Sequence, residues 1–153
     1  MISKDFIALI YPYAKTSSVY TEIPYGFTIA EAALESGWGE SMLFKEAMNL
    51  FGVKADSSWN GELLSMNTKE FINGAWVTIP AKWRKYSNLQ DCIDDHSQFL
   101  IQNPRYKDCF QYTSSSDFAI AVAKAGYATD PDYSDKVCSI IENYDLDGLM
   151  NFE

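Results

Sequence analysis

At 153 residues the chain has room for one domain with a sizeable core and none for a second. Its 47% hydrophobic, 22% charged and 15% aromatic residues fit a packed globule rather than a disordered segment. A net charge of −9 with no Lys/Arg-rich run argues against nucleic acid and anionic membrane surfaces as partners, and no stretch approaches the roughly 18 apolar residues of a membrane span.

The first element expected is a helix over residues 4 to 15, with Ser3 as N-cap and Phe6, Ile7 and Ile10 along one side. The apolar run inside it follows Asp5 without a basic leader and meets Pro12, so it reads as no signal peptide. A second helix is expected from about Pro24 to Ser36, where Gly37 stops it. Its polar residues Thr28, Glu31 and Glu35 share one narrow stripe, and apolar residues cover the rest, which marks a helix buried on most sides.

Residues 40 to 48 read as a short third helix leading into irregular or extended chain. Lys69 to Ile72 and Ala75 to Ile79 flank Asn73-Gly74, the pair that accepts positive φ in a tight type I′ turn, so a small β lobe is expected within about residues 55 to 80. Helical spacing returns over 88 to 101, with Pro104 after its end, and two further helices are expected at about 115 to 125 and 133 to 144. GYATDPDY joins that last pair. The fold class is therefore α+β, mainly α, in a single domain spanning 1 to 153.

Glu35 stands out among the candidate groups. As one more glutamate on a polar stripe it would be solvated. A carboxyl in the last helical turn, however, faces the negative end of the helix dipole, and Trp38 three residues on could desolvate it. Both effects favour the protonated form that a general acid requires. Glycoside hydrolysis usually needs a second carboxylate, for which Asp56, Glu62 and Glu70 are available, and spacing does not choose among them. Glu70 is the most constrained, three residues before the Asn-Gly turn.

His96, the sole histidine, shares a helical face with Leu89, Ile93 and Leu100 and reads as a packed, hydrogen-bonded core residue. Trp38, Phe51, Trp59, Tyr106, Tyr127 and Tyr133 would serve in the core, or would stack against sugar rings where they sit in loops. Cys92, Cys109 and Cys138 lack a C-x-x-C spacing and read as mostly buried free thiols. No metal or nucleotide motif is present, so no cofactor is expected.

The strings AALESGWGES (32 to 41), NLFGVKA and SSWNGE (49 to 62), NTKEFINGAW (67 to 76), KWRKYSNLQDCIDDHSQFL (82 to 100), NPRY (103 to 106) and AGYATDPDYSDKV (125 to 137) resemble the flagellar-type endo-β-N-acetylglucosaminidases of glycoside hydrolase family 73. That resemblance implies a lysozyme-like fold, in which a helical lobe and a small β-hairpin lobe enclose a cleft for peptidoglycan glycan strands. It also implies cleavage of the β-1,4 bond after N-acetylglucosamine.

By the same resemblance Glu35 matches the general acid, Glu70 the second catalytic carboxylate, and Tyr127 a tyrosine at the cleaved sugar. Trp38, Asn49, Phe51 and Trp59, with Tyr106, would bind substrate or shape the cleft. Rival readings are an N-acetylmuramidase or lytic transglycosylase on this fold, and a non-catalytic glycan-binding module. A short chain without a signal peptide suggests a monomer made in the cytoplasm that acts in the periplasm or cell wall. A holin would release it as a phage lysis protein, or an immunity protein would accompany it as a delivered antibacterial effector.

Overall fold

The computed structural model describes residues 1–151. Its helical body is built around α2 (Tyr25–Ser36), which packs against α1 (Ser3–Thr21), α5 (Ser115–Lys124) and α6 (Tyr133–Asn143). The composition of α2 explains its central place. Gly26, Ala30, Ala32 and Ala33 let neighbouring helices approach, while Phe27 and Ile29 fill the core between them. Phe27 meets Phe118 of α5 edge-on at 4.9 Å. Gly37 ends the helix in the left-handed conformation and donates its N–H back to Ala33 and Leu34.

α1 runs further than its sequence pattern implies, to Thr21, with Pro12 inside it and Ile2 rather than Ser3 at the N-cap. A proline in a helix interior removes one backbone hydrogen bond. Burial of Phe6, Ile7, Ile10, Tyr11 and Ala14 outweighs that loss, and the added turns bring Ser17 to a buried hydrogen bond with Ser97. Ser97 belongs to α4 (Leu89–Gln102), which packs along α1 and is capped by the Asn88 side chain accepting from Asp91 N–H. α3 (Met42–Ala47) is likewise capped by Ser41.

The β lobe holds two antiparallel pairs. β2 (Thr68–Ile72) and β3 (Ala75–Ile79) form the expected hairpin, with Asn73 at φ 52° and Gly74 at φ 81°, both positive as a type I′ turn demands. The second pair is not evident in the sequence: β1 (Glu62–Ser65) aligns with β4 (Lys82–Lys85), bringing Leu64 opposite Trp83. Lys54 bridges to Trp83, so the irregular chain after α3 is stitched to the same sheet. Two 3-10 helices, Pro104–Gln111 and Leu146–Asn151, complete the described chain, and the first occupies a stretch where no element was expected.

Cys92 and Cys109 are buried free thiols and Cys138 is half-buried. Burial pushes the Cys92 thiol up to about 12, far from a reactive thiolate. Among the described residues no helix is long and apolar enough to cross a membrane.

Candidate active site

A cleft of about 720 Å³ lies where the end of α2, the face of α4, the chain of residues 51 to 59, β4 and the loop after α5 meet. Glu35 enters it from the last turn of α2. Its side chain stands open to the cleft while protein surrounds it on other sides. Burial, and next the negative charge of Glu31, raise its carboxyl above the ordinary 4.5, against an opposing pull from His96. Glu35 is therefore a carboxyl that keeps its proton to higher pH than a surface glutamate, aimed into a groove.

Aromatic walls flank it. Phe51 stacks on His96 with ring centroids 3.9 Å apart, and both line the cleft. Trp59 lines it too, held by its indole N–H donating to Glu62 O at 2.9 Å and by the Arg84 guanidinium lying 5.0 Å from its ring centroid. A Cβ on Gly61 would sit 2.4 Å from Trp59 Cζ2, so the glycine is what lets the ring lie against the turn. Tyr127 forms part of the wall, and its hydroxyl donates to Glu31 Oε1 below. Burial, then the Glu31 charge, push the Tyr127 phenol well above its usual value, which keeps it a hydrogen-bond donor.

Across the cleft Arg84 ties three segments together. Its Nη1 donates to Asp95 Oδ2 at 2.8 Å, its Nη2 to Asp56 Oδ1 at 3.3 Å and its Nε to Lys54 O at 3.2 Å. Tyr86 adds an O–H bond to Asp95 Oδ2 at 2.6 Å. Hydrogen bonds from the Ser58 hydroxyl and N–H hold the exposed Asp56 carboxyl below its usual value. Gln98, Phe99 and Gln102 of α4 complete the lining on that side.

The structure thus gathers Glu35, Phe51, Trp59 and Tyr127 in one groove, and it puts four other sequence candidates elsewhere. Trp38 is not among the residues that line the cleft. Gly37 and Trp38 take successive left-handed conformations, and the indole packs edge-on to Phe6 at 5.7 Å and Tyr144 at 5.1 Å. Asn49 is buried and used up by backbone, its Nδ2 donating to Val53 O and Arg84 O and its Oδ1 accepting from Val53 N–H. It holds the backbone of Val53 and Arg84, both of which line the cleft. Tyr106 is buried behind Tyr127, edge-on at 6.0 Å. Glu70 lies on β2 in an ion pair with Lys54 at 3.1 Å and is not part of the cleft lining.

Glu31 also departs from expectation. It does not share a solvent- or cleft-facing stripe with Glu35 but is fully buried beneath it. Sequence reasoning missed Arg84, Asp95, Gln98, Phe99 and Gln102 as cleft residues. The last four recur at helical spacing on α4, a signal that in the sequence looks the same as any solvated helix face.

A helical body, a small β lobe and a raised carboxyl at the end of a buried helix in the groove between them are the parts of a lysozyme-like architecture. The chain belongs to the glucosaminidase family, whose model, described as mannosyl-glycoprotein endo-beta-N-acetylglucosaminidase, matches residues 11–146. It is 38% identical over 144 residues to the peptidoglycan hydrolase FlgJ of Salmonella typhimurium, covering 92% of this chain and 46% of that protein. It is 44% identical over 125 residues to the exo-glucosaminidase LytG of Bacillus subtilis, covering 78% of this chain and 44% of that one. It spans about half the length of these curated relatives. A C-terminally truncated glycoside hydrolase domain of Salmonella typhimurium FlgJ superposes with a TM-score of 0.83 at 37% identity, covering 94% of this chain and 98% of that structure.

Proposed function

We propose that the chain hydrolyses the β-1,4 bond that follows N-acetylglucosamine in peptidoglycan glycan strands, with Glu35 as general acid. The observation that carries this reading is Glu35 itself, a carboxyl whose hold on its proton is strengthened by burial and by Glu31 while it faces an aromatic-walled groove. A protonated carboxyl in that position hands its proton to the glycosidic oxygen as the bond to the anomeric carbon breaks. The leaving sugar departs as an alcohol, and water adds to the oxocarbenium-like centre. Trp59, Phe51 and Tyr127 offer ring surfaces for sugar faces, and the cleft carboxylates and glutamines offer acceptors and donors to hydroxyls.

The second role, activating water or stabilising the positive centre, falls to Glu70 in this reading. Asp56 is its comparator, because it lines the cleft as an anion and is met by Arg84 only at 3.3 Å, whereas Asp95 accepts closer bonds from Arg84 at 2.8 Å and Tyr86 at 2.6 Å. Release of reducing ends from purified peptidoglycan tests all three groups. Glu35→Gln is expected to lose about 10²-fold or more in kcat, Glu70→Gln to lose activity as well, and Asp56→Asn to remain close to wild type. Wild-type rates in Glu35→Gln would remove the general acid. Loss in Asp56→Asn with activity kept in Glu70→Gln would move the second role to Asp56.

Mass spectrometry of the products separates the rival chemistries. Reducing N-acetylglucosamine is the expected end. Reducing muramic acid would mean a muramidase, 1,6-anhydromuramic acid a lytic transglycosylase, and tight binding without cleavage a glycan-binding module. In this reading the chain acts as a monomer in the periplasm or cell wall, with a holin or an immunity protein as its protein partner. Co-purification with the products of neighbouring genes identifies which.

A further inference from the structure

Glu31 does not touch the reacting bond in this scheme, yet it is the most deeply placed carboxylate at the site, with 0% of its surface exposed. A carboxylate without partners would not be tolerated there. Both of its oxygens are occupied. Tyr127 O–H donates to Oε1, Tyr133 O–H donates to Oε2 at 2.8 Å, and His96 Nε2 lies 3.6 Å from Oε1 and 3.5 Å from the Tyr127 oxygen.

Each phenol has one proton, and both point at Glu31. The only groups that His96 Nε2 faces in this network are therefore acceptors, which assigns its N–H to Nε2. The other side of this network is the cleft itself, because His96 and Tyr127 line it and Phe51 stacks on the imidazole.

We propose that Glu31 is a positioning residue for the reaction, fixing Tyr127 and His96 beneath the cleft while setting its negative charge one helical turn from Glu35. The proposal rests on Glu35 acting as the acid. His96 from α4, Tyr127 from the loop after α5 and Tyr133 from α6 face Glu31 directly, and Tyr106 from the Pro104–Gln111 helix interacts with it electrostatically. Asp56, Asp95 and Arg84 line the same cleft as Glu35, and there Arg84 forms ion pairs with both carboxylates.

The sign follows from the charges. The Glu31 charge makes ionisation of Glu35 harder and so extends the acid's working range upward, while His96 opposes it. Removing the Glu31 charge lets Glu35 lose its proton at lower pH.

The test is Glu31→Gln, with folding checked by circular dichroism, in two measurements. The first is a pH profile of kcat. Its alkaline limb is expected to move to lower pH, so that the variant loses several-fold more activity on the alkaline side than on the acid side. A merely structural role would lower kcat by the same factor at every pH, and that result overturns the proposal. The second is the ¹³C carboxyl titration of Glu35 in both proteins, expected to move to lower pH in the variant, with an unmoved titration overturning the proposal. It decides the role of Glu31 whether or not the wild type cleaves peptidoglycan, so failure of the glycosidase reading is seen separately.

A third readout needs no variant. His96 is the only histidine, so its ¹⁵N spectrum is unambiguous. A proton on Nε2 is expected, and a neutral ring carrying it on Nδ1 would overturn the network.

Discussion

Glu35 shows how a single side chain couples function to stability. Its folded-state carboxyl binds a proton more tightly than it does in the unfolded chain, chiefly because burial disfavours the anion. From about 4.5 upward the native state therefore holds more proton than the unfolded state, and stability from this group falls as pH rises through that window. Glu35→Gln removes the liability. Its Tm is expected to exceed that of wild type at pH 7 by about 1–2 °C, small because the side chain is open to solvent, and to match it near pH 4. Thermal unfolding at the two pH values checks this. An equal gain at both would mean that packing rather than ionisation is responsible. Asn49 carries the opposite lesson, since a polar residue within a motif shared with cleft-bearing enzymes turns out to serve the backbone of Val53 and Arg84.

At the scale of elements, the β2–β3 hairpin is the part least tied to the core. Among the described residues it pairs with no other strand, and Phe71 and Trp76, opposite each other with centroids 5.3 Å apart, remain largely exposed. Its register depends on a turn whose second residue sits at φ 81°. Gly74→Val places a β-branched side chain at positive φ and should cost the hairpin about 1–3 kcal/mol. Hydrogen exchange is expected to rise at the amides of Thr68–Ile72 and Ala75–Ile79 with the helical core unchanged. Peptidoglycan cleavage should fall with it if Glu70 works from this hairpin, whereas full activity on a frayed hairpin would argue for a carboxylate elsewhere. α1 makes a complementary point. A proline that should end a helix is carried through because five apolar side chains on either side of it are buried against other helices.

The whole molecule depends on how the two lobes are joined, and Arg84 is a principal fastening. From β4 it reaches Asp95 on α4, Asp56 and Lys54 O on the connecting chain, and the Trp59 ring. Arg84→Ala leaves Asp95 with Tyr86 alone and frees Trp59 on one face. The expected result is a loss of about 2–4 kcal/mol in urea unfolding, together with a raised KM for glycan strands. Arg84→Lys should recover little of either, because an ammonium cannot span the two carboxylates as the planar fork does. Wild-type stability in Arg84→Ala would show that the lobes are held by their apolar contacts instead.

The amino-acid sequence by itself determined what depends on near neighbours. The end of α2 at Gly37, the Asn73-Gly74 turn and the amphipathic faces of the helices all follow from periods and propensities over a few residues. Each of the separated motifs that together carry the family resemblance is equally local. Only the tertiary structure decided what lies opposite what. Glu31 and Glu35 occupy adjacent turns of one stripe, yet one is sealed under Tyr127 and Tyr133 while the other opens into the cleft. Trp38 turns to the rear, Glu70 pairs with Lys54, and β1 finds β4 across the hairpin between them. The physical reason is common to all four. Burial, desolvation and ion pairing are set by side chains that arrive from distant parts of the chain, and a linear pattern carries no record of which of them will meet.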